Sequence, residues 1–272
     1  MSLVAATRSE SAKQFSTSMW WLLAIILVVY VAFTSAALGF AIGGAATGAF
    51  GSGDAIPLPE TGIAAALYST ATSVGYVFPL LIGTLIVTAE FRHKTLTPTF
   101  LAVPRRGVVL AAKLAVGAFL GVIFGVLGIV ASVGPAAGFL SGFGLDTELT
   151  SSDTWAMLAR MLIAFVLWVL IGVGVGALVR NQVGAVVGVL VFTQFVEPIV
   201  RTAAAYIDGL GDVVAYLPGA ASDALVGGSI FSVAMPTGSD PIEWWVGGVV
   251  LLAYAVVILV LGYLTSWRRD VS

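Results

Sequence analysis

The chain has 272 residues, 59% of them hydrophobic and 10% charged, whereas an average soluble domain carries roughly 25% charged residues. With a mean hydropathy of +1.06, water is not its main solvent. A soluble enzyme, a disordered chain and a nucleic-acid binder are set aside on that ground, and the net charge of −2 adds little, because the placement of charges matters more than their sum.

In chain order, residues 1–19 carry Arg8 and Lys13 ahead of the first apolar run. They predict a short amphipathic segment on the inner membrane surface, with Val4, Phe15 and Met19 on its apolar side. Six apolar runs follow, at 20–43, 63–88, 108–133, 155–179, 183–200 and 244–266. Each reaches the roughly 17–25 residues that cross a bilayer as helix. Continuous apolarity distinguishes them from barrel strands, which alternate and are only about ten residues long. The expected fold is an all-α, six-helix transmembrane bundle. The first run is longer than a signal peptide's apolar core and starts late, so it reads as a retained span despite Ser35-Ala36-Ala37.

Two connections stand out. Residues 89–107 concentrate charge between the second and third runs, with Glu90 and Lys94 four apart in the favourable helical order. Phe91, Thr95 and Pro98 fall near another face, and Pro98 and Pro104 turn the chain back. Either a short helix parallel to the membrane or a solvated basic loop fits. The fifth–sixth connection, 202–243, holds apolar stretches at 213–217 and 224–233, interrupted by Pro218, Gly219 and Asp223. Each is too short to cross, so re-entrant half-helices or a structured external loop are expected. Residues 267–272 form a short tail.

Orientation follows from lysine and arginine placement. Six spans put both termini on one side, and that side then holds Arg8, Lys13, Arg92, Lys94, Arg105, Arg106, Lys113, Arg180, Arg268 and Arg269, ten of the twelve basic residues. Both termini are expected in the cytoplasm. Nine arginines to three lysines, with abundant Ala, Gly and Val, suit a GC-rich bacterial source and hence a bacterial plasma membrane. Glycines repeat at i, i+4 in Gly117/Gly121/Gly125, Gly39/Gly43, Gly172/Gly176 and Gly184/Gly188, a spacing that lets helix backbones approach closely. Packing within one bundle and a subunit interface both use it.

The chemistry of sites is sparse. There is no cysteine, His93 is the one histidine, and no Gly-Lys pair exists to begin a Walker A phosphate loop. No catalytic residue, metal site or cofactor is expected in this chain. Among charges inside the runs, Glu197 is followed by Pro198 and lies four residues before Arg201. A gate beside a helix kink and an interfacial Glu–Arg pair are the two readings. Arg160 is expected to pair with Asp153 or to reach headgroups.

Six spans, a charged second–third loop and a broken fifth–sixth connection resemble the permease subunit of an ATP-binding-cassette transporter, type-2 exporter class. The most specific residues are Glu90-Phe91-Arg92, Lys94-Thr95, Pro104-Arg105-Arg106 and Lys113, with an echo of the family's N-terminal Glu-x-x-Lys helix in Glu10 and Lys13. The family often has glycine where Lys94 stands. The resemblance implies a half-transporter that pairs with a second permease copy or a homologue in the lipid bilayer. Two separate ATPase subunits would hold ATP and Mg and seat the loop as a coupling helix, through Glu90, Phe91, Arg92, Lys94, Thr95, Leu96, Pro104, Arg105 and Arg106. Tyr76, Phe78, Phe119, Phe124, Phe192, Gln194 and Phe195 are candidates for the path of a hydrophobic or amphipathic substrate (a drug, lipid or peptide), with Glu197 and Arg201 at an outer gate. A gradient-driven carrier and a non-transport scaffold are the competing classes. The carrier is disfavoured because midplane carboxylates and a broken span are not evident in the sequence.

Overall fold

The structure is a computed structural model that describes residues 2–49, 62–204, 206–207, 209–231 and 242–267. Every regular element among these residues is helical. Expectations for 232–241 and for the tail beyond Trp267 fall outside the described residues.

Among the described residues, five helices are long and apolar enough to cross a membrane, lying at Met19–Ala46, Arg106–Gly142, Ser152–Leu178, Gln182–Ala204 and Trp244–Thr265. They match five of the six apolar runs. Ahead of them Leu3–Phe15 forms α1, capped by the Ser2 hydroxyl, which accepts from the Ala5 amide at 3.3 Å. Met19–Ala46 is α2.

The run at 63–88 is not one helix. It divides into α3 (Ile63–Tyr68), α4 (Thr70–Ser73) and α5 (Val77–Arg92). Hydroxyls cause part of the division, since Ser69 donates to the Ala66 carbonyl at 2.8 Å and Thr72 to the Ser69 carbonyl at 2.9 Å. Such local bonds compete with the helical ladder. Gly75 completes the break: a Cβ there would lie 2.3 Å from the Ala71 carbonyl oxygen. At 16 residues α5 is about 24 Å long, short of a hydrocarbon core of about 30 Å.

Beyond α5 come α6 (Leu96–Ala102) and α7 (Arg106–Gly142), the latter 37 residues or about 55 Å. Ser152–Leu178 is α8, its Ser151 cap accepting from the Asp153 amide. The fifth run comprises α9 (Gln182–Val191), a π-helical turn (Phe192–Val196) and α10 (Glu197–Ala204). Two short helices follow, α11 (Leu210–Val214) and α12 (Pro218–Val226), and then α13 (Trp244–Gly262) ending in a second π-helical turn. Pro218 and Gly219, expected to interrupt structure, instead begin α12: proline is tolerated at the first helical position, and Gly227 ends the helix at φ +83°.

The buried helix α8 is the hub. Trp168 and Phe165 lie in its core-facing stripe, and small residues let neighbours close upon it. A Cβ on Gly83 of α5 would sit 2.1 Å from the Val169 carbonyl oxygen, and one on Gly172 would sit 2.2 Å from that of Leu80. Gly121 and Gly125 of α7 meet Val166 and Leu162, Gly176 meets Thr84, and Gly39 and Gly43 of α2 meet Phe139 and Phe143 of α7. These small-residue pairs therefore serve packing within the chain. Gly188 on α9 faces open space.

Candidate functional site

Two polar centres stand in this apolar bundle. The first joins α1 to the loop end. Glu10 and Lys13 project from one face of α1, Glu90 lies in the last turn of α5, and Lys113 lies two turns into α7. The 93–105 loop returns the chain so that the latter two face one another. The four charges close a ring. Lys13 Nζ lies 2.6 Å from Glu10 Oε1, Glu10 Oε2 lies 2.6 Å from Lys113 Nζ, and Glu90 is 3.0 Å from Lys113 and 2.9 Å from Lys13. Lys113 also donates to the Ile86 carbonyl, and Lys13 to the Thr99 hydroxyl of α6 at 3.3 Å. Lys113 is fully buried and Glu10 is 3% exposed.

Burial works against the charge on both α1 residues, and their partners overcome it. The Glu10 carboxyl stays below its ordinary 4.5, because the Lys113 charge and the bonds from Lys113 and Lys13 outweigh burial. The Lys13 ammonium lies above its ordinary 10.5, since its bonds to Glu10 and Glu90 outweigh burial in turn. Thus ion pairing fixes α1 to the chain, and Val4 faces away from it. Phe15 does pack, edge-on to Trp20 at 5.1 Å and to Phe119 at 6.2 Å.

This geometry corrects the expected loop face. Glu90 is buried in the ring and makes no pair with Lys94. Leu96 is 1% exposed, held in the chain's own core, whereas Leu101 is 79% exposed. Phe91 is partly buried against the core. Arg92, Lys94, Thr95, Pro104 and Arg105 are exposed, and Arg106 lies 5.1 Å over the Phe100 ring. Lys94 adopts φ +55°, the left-handed conformation that a glycine would take without strain. A cavity of about 320 Å³ lies between α1 and α6, bordered by Glu10, Lys13, Pro98 and Thr99.

The second centre joins α4, the fifth run and α12. Asp223 of α12 accepts from Ser73 at 2.9 Å, from Ser229 at 2.8 Å and from the Arg201 guanidinium. Arg201 also lies 4.7 Å over the Phe231 ring. Glu197, 1% exposed, sits at the N-terminus of α12 and accepts the Ala220 amide at 3.1 Å. Glu197 and Arg201 are therefore not an exposed interfacial pair: each grips a different part of α12. Pro198 has no N–H for the helical ladder of the fifth run. The Thr193 carbonyl, five residues back, instead accepts from the Tyr76 hydroxyl at 3.2 Å. Tyr76 stacks at 4.5 Å on Trp168, which donates to Ser222 at 3.0 Å. Arg160 lies 5.5 Å over Trp244 and not against Asp153.

The residues expected to line a path do not share one surface. Tyr76 and Gln194 border a common cavity, and Phe78 touches Tyr30 at 5.9 Å. Phe124 is buried, Phe119 faces Phe15, and Phe192 and Phe195 point outward from the fifth run. Sequence reasoning used Asp223 only as a break and passed over Ser73 and Ser229. An acid inside an otherwise apolar stretch was the available signal.

The chain matches no known protein-family model and no curated protein in sequence comparison. What its fold defines is an all-helical, multi-pass membrane protein.

Proposed function

We propose that this chain is the membrane-spanning half of an ATP-driven exporter of the type-2 ATP-binding-cassette class. The broken second run counts as a sixth span, and both termini and the 93–105 loop lie in the cytoplasm of a bacterial cell. Two copies, or one copy and a homologue, enclose a pathway for an amphipathic substrate. Separate subunits bind ATP and Mg and drive it. The observation that carries this reading is the closed ring of Glu10, Lys13, Glu90 and Lys113. It supports the reading because it fixes α6 and the exposed loop face to three helices at once, so a force applied to that face moves the bundle's end as a unit. Arg92, Arg105 and Leu101 are the groups available to an ATPase cleft, a basic rim around one apolar knob.

The test is to purify the tagged chain from its native host in mild detergent and identify the co-purifying chains. A nucleotide-hydrolysing subunit is expected with the wild type and absent with Arg92→Glu or Leu101→Asp. A wild-type chain that purifies with no such subunit, or that transports in liposomes without nucleotide, overturns the reading. A second reading, the ion-gradient carrier, gains from a specific observation: a break in the second run beside the buried carboxylate Glu197. These are the features whose lack had counted against it. Uptake that persists in ATP-depleted vesicles and follows an imposed proton gradient favours the carrier.

A further inference from the structure

The cavity at the second centre is bordered by Tyr30, Tyr76, Thr193, Gln194, Glu197 and Arg201, among others, and measures about 60 Å³. That is room for a few water molecules, each needing about 10–15 Å³ of such space, or for one small cationic head. Tyr30 lies 11 residues into α2, so the cavity is well inside the bundle's length rather than at its edge.

Its electrostatics are unbalanced. Arg201 is committed to Asp223, whose two oxygens also take the Ser73 and Ser229 hydroxyls. Glu197 has no lysine or arginine in ion-pair contact among the described residues. Its Oε1 takes the Ala220 amide. The Gly219 amide is a further backbone donor to this carboxylate, and the Tyr76 hydroxyl, 3.5 Å from Oε2, has a nearer acceptor in the Thr193 carbonyl at 3.2 Å. With Glu197 ionised, two carboxylates share one guanidinium at this polar cavity, one positive charge short, a costly state at low dielectric. A positively charged head with N–H donors supplies that charge. The exposed Tyr30 ring bordering the cavity offers a π face to such a cation, and exposed side chains of the fifth run, Phe192, Phe195 and Val196, are apolar.

We propose that this cavity binds the protonated amine of an amphipathic substrate, whose apolar part lies against those side chains of the fifth run. The word substrate rests on the transport reading; the binding itself does not.

The test uses the full-length chain alone in nanodiscs of zwitterionic lipid, with pyrenebutylamine and the uncharged pyrenebutanol as probes at neutral pH. The amine is expected to bind saturably and about tenfold tighter than the alcohol, and Glu197→Gln to abolish that preference, as the loss of one charge-assisted bond predicts. Tyr30→Leu, on an exposed helix face, should weaken amine binding severalfold while leaving the fold intact, and it decides the matter if Glu197→Gln does not fold. Equal binding of the two probes, or an amine preference unchanged by both variants, overturns the proposal. So does sodium chloride displacing the amine one for one, which would make this a free-ion site. No ATPase is present, so failure here is separable from failure of the exporter reading, which is scored by co-purification.

Discussion

Replacing Lys113 by Met tests the ring most directly. Methionine keeps the length and apolar volume of the stem and removes only the charge and its donors. Glu10 Oε2 and Glu90 then lose contacts of 2.6 and 3.0 Å, and two carboxylates share one lysine. That lysine, Lys13, has a side chain 40% exposed, so water screens its contribution and it cannot carry both. Lys113 is fully buried, and removing one member of a buried ion pair costs about 3–5 kcal/mol, because a charge is left uncompensated. The expected result is a loss of that size in thermal unfolding in detergent, with α1 released and cut by trypsin at Arg8 and Lys13. Adding Glu10→Gln restores neutrality and should return about 2 kcal/mol. If Lys113→Met melts with the wild type and α1 stays protected, or if the double variant is no better than the single, the ring is not what holds α1.

The sign of the pH dependence follows from the same groups. Glu10, held below 4.5, contributes stability that is present above that value and lost as pH falls through its folded pKa. Lys13, held above 10.5, contributes stability that is present below that value and lost as pH rises through its own. A fluorophore on Ser2→Cys, unique because the chain has no cysteine, should report a docked α1 between those limits and release on either side. Gly83→Ala should lower the folded yield sharply, because the added carbon meets the Val169 carbonyl, while Gly188→Ala should be neutral or stabilising by up to about 1 kcal/mol in a melting assay. Lys94→Gly should raise stability by about 1 kcal/mol by relieving the left-handed strain, and an unchanged or lower melting temperature would place φ elsewhere.

Hydropathy made five spans legible, because a helix averaging apolar residues over twenty positions tolerates the occasional hydroxyl. The same averaging hid the division of the second run: Ser69, Thr72 and Gly75 barely lower its hydropathy, yet their hydroxyl bonds and missing side chain end the helix. Helical spacing suggested that Glu197 would pair with Arg201, whereas Arg201 reaches Asp223 in another element. Long-range partners of this kind are set by tertiary approach, to which spacing is blind. On the loop, the apolar residue that faces outward depended on where α6 begins, so Leu96 was chosen although Leu101 is the exposed one. Glu10 entered only through a family resemblance and Lys113 otherwise only as one of the inner basic residues, and their mutual contact could not be read from either segment alone.

The interruption between α4 and α5 has a mechanical consequence. A jointed rod cannot pass thrust along its axis, so a tilt imposed on α5 at its Glu90 end would dissipate at Gly75 before reaching Ser73. The stiff route runs sideways, through the near-contact of Gly83 and Gly172 into α8, and onward by Trp168 to Ser222 of α12. The two polar centres are thus joined by α5 itself, with Glu90 at one end and Tyr76 at the other, while α12 beyond the joint is reached by a lever through α8.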